Sequence, residues 1–180
     1  MNLFSILFPL ISLVSIVNGY SYVPELNLTQ YEGTWFEVYK DLFDETFQKG
    51  GTCVTATYKL LDNGTVSVFN SQISLSGKQE NITGSAYYED GNYGGDLTVY
   101  LDGTIAAPYW VIGLGPIVNG YYDYAIVSDD KQISLFVLAR NIDTFFKKYN
   151  EEVLDSLSDF GFTKKYNEPI QVDQSDCEYR

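Results

Sequence analysis

The 180-residue chain contains no histidine, which removes the Ser-His-Asp and Cys-His relays and every histidine-ligated metal site. Cys53 and Cys177 are the only cysteines. They are too few for a four-thiolate zinc site, and nothing basic lies close enough to Cys53 to make it a reactive thiolate. Glu37, Asp44 and Glu45 are carboxylates close in sequence, yet no two stand out as a general acid and base; they read as a solvated acidic surface. What remains is non-covalent recognition by aromatic and apolar side chains, with neither a metal nor a cofactor expected.

The first 19 residues read as a secretory signal: Leu3 to Val17 is a charge-free, mostly apolar run, too short for a membrane span, followed by Val17-Asn18-Gly19 at a cleavage position. Residues 20–180 then form one domain, large enough to bury a core. In an exported chain an even pair of cysteines reads as a disulfide, and closing so long a loop stabilises by about 5 kcal/mol in the chain-entropy account. Asn27, Asn63 and Asn81 each begin a glycosylation sequon, consistent with the secretory route. The net charge of −13 opposes nucleic acid and anionic membrane surfaces as partners. No later segment is apolar enough for stable membrane insertion, and no protein partner is indicated.

The elements that would position a binding site are strands. Cys53 to Leu60 alternates apolar and polar residues. Asp62-Asn63-Gly64-Thr65 follows as a hairpin turn in which Asn-Gly takes positive φ at both positions, and Val66 to Ile73 returns. Further strand-sized segments are Asn81 to Tyr88, Leu97 to Leu101, Tyr109 to Leu114, Tyr121 to Val127 and Ile133 to Arg140, separated by turn compositions such as Asp90-Gly91-Asn92 and Asp102-Gly103. With Trp35 to Tyr39 this makes eight. The expected fold is all-β: an eight-stranded up-and-down antiparallel β-barrel, a calyx able to hold one small molecule. From Phe145 to Phe160 the apolar period becomes helical, with Asp143 or Thr144 as cap and Gly161 as stop. One C-terminal α-helix therefore packs outside the barrel.

These residues resemble the lipocalin family, most closely its apolipoprotein D and bacterial branch. Leu28 to Glu37 contains the G-x-W signature as Gly33-Thr34-Trp35. Ala107 to Ile112 and Tyr124 to Val127 are similar to the sixth and seventh strands of that branch, and Phe136 to Asn141 to the eighth. One departure is Gly120, at a place where the branch usually carries an acidic residue.

The resemblance implies that Trp35 plugs the closed end with Arg140 stacked on its ring, a structural pair worth about 1–2 kcal/mol. It also implies a pocket at Tyr58, Asn70 and Phe136. Strand parity adds Leu138 on the inward face, and Tyr100 and Tyr124 are further candidates. An inward Asn70 is pointed, since a buried amide must find a partner. The segment from Asp41 to Gly51, with Phe43 and Phe47, is expected to hang at the open mouth as a flap. The function implied is a secreted, extracellular carrier of a small hydrophobic molecule. The rivals are an extracellular interaction protein with a filled barrel and an isomerase-like enzyme.

Overall fold

The structure, a computed structural model, describes residues 20–88 and 93–179, and the side chains of Thr46 and Phe47 are excluded. The secretory signal, the Asp90-Gly91-Asn92 turn and the Phe47 side chain thus lie outside the described residues. Eight strands close the barrel: β1 (Gly33–Lys40), β2 (Thr52–Leu60), β3 (Val66–Ile73), β4 (Gln79–Tyr88), β5 (Asp96–Leu101), β6 (Ala107–Leu114), β7 (Tyr124–Ser128) and β8 (Leu135–Ala139). Each pairs antiparallel with its sequence neighbour, and β8 returns to β1. Closure leaves no full-length edge.

Several local expectations are corrected. At the β2–β3 turn Leu61 N–H donates to Thr65 O and Gly64 N–H to Leu61 O. Only Gly64 has positive φ, +81°, so the loop is a type I turn closed by a left-handed glycine rather than a two-residue Asn-Gly turn. The segment Tyr121 to Val127 is broken at Asp123, whose N–H turns to Pro116 O. Its first two residues pair with Ile117–Val118, and β7 begins at Tyr124.

The outer helix is two helices, α3 (Ile142–Lys148) and α4 (Asn150–Phe160), meeting at Tyr149 (φ −117°, ψ −14°); these follow α1 (Leu28–Tyr31) and α2 (Leu42–Gln48). The N-cap is Asn141, whose side chain accepts from Thr144 N–H; Gly161 ends α4 in the left-handed conformation, as expected. Phe145, Val153 and Leu157 are buried against the outer face of β7 and β8 with Tyr124, Ile126 and Val137. Burying each is worth about 1.5–3 kcal/mol. A second cluster, from Trp35 to Leu138, fills the barrel interior.

A bulge in β1 places the two clusters. The register with β8 slips between Glu37 and Tyr39. Trp35 and Glu37 face inward, Val38 and Tyr39 both pack under the helices, and Lys40 is turned back to the rim. Where β2 diverges from β1, a short C-terminal strand, β9 (Ile170–Gln171), pairs with Tyr39 and Lys40. Beyond it Cys53 N–H donates to Asp173 O, Gln174 Nε2 bridges Glu37 O and Val54 O (both 2.8 Å), and Cys177 is disulfide-bonded to Cys53. The tail is a stitch across the gap between two barrel strands.

Candidate functional site

The closed end is built on Trp35, 0% exposed, whose indole N–H donates to Tyr31 O at 2.8 Å. The Arg140 guanidinium carbon lies 3.6 Å from the Trp35 ring centroid. It donates to the carbonyls of Thr34 (2.9 Å), Glu32 (2.7 Å), Tyr31 (3.0 Å) and Gln30 (3.3 Å), and Nε donates to Tyr122 O (3.2 Å). A Cβ at position 33 would stand 3.1 Å from an Arg140 nitrogen, and φ there is +101°, so the glycine of the G-x-W signature is required by both space and backbone. Because the arginine's acceptors are backbone carbonyls, Gly120 in place of an acidic residue leaves the plug intact. Burial lowers the Arg140 pKa to about 10, so it is a cation at neutral pH.

Above the plug lies a cavity of about 310 Å³, within the range of small-molecule sites. Its middle is apolar: Val54 and Ala56 of β2, Val66 and Val68 of β3, Leu97, Val99 and Leu101 of β5, and Leu138 with Phe136 of β8. Tyr58, Asn70, Phe136 and Leu138 all line it, as parity and the resemblance indicated. Tyr100 and Tyr124 do not. Tyr100 is 41% exposed on the outer face. Tyr124 is 5% exposed but faces the helices, its ring 5.3 Å from Tyr149 and its hydroxyl donating to Glu152 at 3.1 Å. A tyrosine suits either face of a strand whose outer side is covered, so residue type did not decide its facing.

Deep in the cavity, Tyr31, Tyr109 and Tyr58 form a phenol chain, with Tyr31 to Tyr109 at 2.8 Å and Tyr109 to Tyr58 at 3.1 Å. Three hydroxyl hydrogens serve two contacts, so one is left to offer to a ligand oxygen. Burial pushes the Tyr58 phenol up to about 12, and Tyr31 and Tyr109 well above the ordinary value. All three stay protonated at neutral pH. Tyr31 and Tyr109 were missed in the sequence. The signal for Tyr31 was its place four residues before Trp35, on whose ring it packs (5.1 Å).

Toward the mouth the wall becomes polar, and the view of the early carboxylates as a solvated surface fails for Glu37 and Asp44. Glu37 is 4% exposed and Asp44 is also buried. Glu37 faces inward in phase with Trp35, and burial raises its pKa to about 7. The expected flap is largely the helix α2, from which Gln48 Nε2 donates to both Glu37 oxygens (2.9 and 3.0 Å). Gln48 Oε1 in turn accepts from Lys40 Nζ (2.9 Å). Asp44 accepts from Leu135 N–H (2.8 Å), tying α2 to β8; burial and the neighbouring Asp41 push its pKa up to about 9. Phe43 is 55% exposed at the rim. Among the described residues no group of side chains could hold a metal ion.

An antiparallel barrel plugged at one end, open at the other and apolar between is a calyx. Residues 26–169 match the lipocalin-like domain family, and the chain belongs to that family, whose members bind small hydrophobic ligands. Outer membrane lipoprotein Blc of Vibrio cholerae is 30% identical over 142 residues, covering 74% of this chain and 80% of that one. Apolipoprotein D of Mus musculus is 29% identical over 102 residues, 56% of this chain and 50% of that one. Lobster apocrustacyanin A1 has the same fold, with a TM-score of 0.59 over 83% of this chain and 81% of that one at 16% identity.

Proposed function

We propose that this protein is a secreted carrier that holds one small, mostly apolar molecule in its calyx without transforming it. The observation that carries this reading is the cavity of about 310 Å³ walled by apolar side chains between a phenol chain and a polar mouth. Burying apolar ligand surface there supplies about 25 cal/mol per Å², and the few polar groups orient the ligand. A filled-barrel interaction protein fits this volume poorly. Against an isomerase-like enzyme working through a thiol, Cys53 is held in the disulfide.

Export is supported by the N-terminal apolar segment, by the disulfide and by the exposure of Asn27, Asn63 and Asn81. Asn27 and Asn63 use only Oδ1 locally, Asn27 to cap α1 and Asn63 to bind Thr65 N–H. Their Nδ2 atoms can carry a glycan without breaking those bonds.

The test is native mass spectrometry of protein collected from a secreting eukaryotic host. A stoichiometric small-molecule adduct is expected, lost or strongly reduced in Phe136→Ala, on a polypeptide beginning near residue 20 with glycan mass at the sequons. Empty protein that takes up none of a broad panel of lipids, retinoids and sterols would overturn the carrier reading.

A further inference from the structure

The polar half of the cavity is unbalanced in charge and in hydrogen-bond donors. Its lining among the described residues includes two carboxylates, Glu37 and Glu80, and neither a lysine nor an arginine. The nearest cation, Lys40, has no hydrogen to spare: its three serve Gln48 Oε1 (2.9 Å), Gly51 O (3.3 Å) and Glu45 (2.6 Å). The Gln48 amide donates to Glu37, and the Gln72 amide to Gln48 O and Glu80 (both 3.2 Å). The donors that remain on this part of the wall, the Asn70 and Asn81 amides and the Thr55 and Ser71 hydroxyls, are neutral.

Acceptors, by contrast, are left over. A carboxylate has about four acceptor positions, and Glu37 receives a single amide nitrogen. Asn70 Oδ1 is buried and accepts from no protein group. Such a deficit stays costly until a ligand brings donors. A ligand carboxylate would bring acceptors and a like charge.

We propose that the calyx selects a ligand with an apolar body and a cationic, hydrogen-bond-donating amine head, seated with its ammonium on Glu37 and Asn70. This rests on the carrier reading and specifies its ligand class. The ammonium supplies donors to both side chains and neutralises the buried carboxylate, and the tail lies among Val54, Val68, Val99 and Phe136.

The test compares three probes with the same tail, decylamine, 1-decanol and decanoic acid, by isothermal titration against the intact protein at about pH 8. Decylamine is expected to bind tightest, and decanoate at least about tenfold more weakly, the scale of one charge-assisted contact. In Glu37→Gln, which keeps the side-chain shape, the amine's advantage over the alcohol should vanish while decanol affinity is kept, and kept decanol affinity shows that the variant is folded. Decanoate binding as tightly as decylamine to the wild type would overturn the proposal without use of any variant. So would an amine preference that survives Glu37→Gln. Equal binding of all three probes leaves the carrier reading standing and the head-group selection refuted, whereas binding of none refutes both.

Discussion

Glu37 and Arg140 are both charged residues withdrawn from water, and they differ in how they are satisfied. Arg140 meets five carbonyls and an indole face. Arg140→Lys should therefore cost about 1–3 kcal/mol in urea unfolding, since an ammonium cannot reproduce the planar fork, with little change in probe affinity. Glu37 is faced by Gln48, by Lys40 of its own strand, and by Glu45 and Asp44 of α2. Its pKa is about 7 when folded against an ordinary 4.5, so the folded state holds the proton more tightly than the unfolded one. The stabilisation from this group is full below about pH 4.5 and is lost as pH rises through 7. The loss is on the order of 3 kcal/mol. Unfolding free energies of Glu37→Gln measured from about pH 4.5 to about pH 7.5 should show a flatter pH dependence than the wild type, and an unchanged slope would refute the assignment.

At the scale of elements, the outer helices and the tail act on the barrel from outside. Val153 and Leu157 are fully buried between α4 and the sheet. Leu157→Ala should cost about 2–5 kcal/mol by lost transfer energy and the remaining void, read from chemical denaturation. The C-terminal helix end was legible in sequence as an apolar period closed by Gly161, whereas the start is capped by Asn141, ahead of the expected cap at Asp143 or Thr144. The break at Tyr149 was not legible, because a local interruption leaves the i, i+3, i+4 pattern almost unchanged. The helix α2 was equally hidden: its Gln48 and Asp44 side chains are held by contacts to β1 and β8, the latter distant in the chain.

For the whole molecule, the disulfide matters through where it lies. It fastens the C-terminal stitch beside the site where β2 leaves β1. Replacing both cysteines by serine should lower unfolding free energy by about 2–5 kcal/mol. Hydrogen exchange should then quicken first at the backbone amide of position 53, which donates to Asp173 O in the native protein. Uniform loss of protection across the barrel would instead mean that the bridge acts on global stability alone.

The strand count, the alternation on β2 and β3 and the cysteine pair followed from sequence, since each rests on local periodicity or on residue type, and the Gly33-Thr34-Trp35 plug followed from the family resemblance. Parity and the family resemblance together brought Tyr58, Asn70, Phe136 and Leu138 to the cavity. Parity has no absolute phase, however. The facing of Tyr100 and Tyr124 depended on which sheet face each neighbour covered, and the bulge after Glu37 reversed the alternation within β1. Cavity volume, the phenol chain and the excess of acceptors at the mouth arise from side chains on separate strands meeting in space, and only the closed tertiary structure decided them.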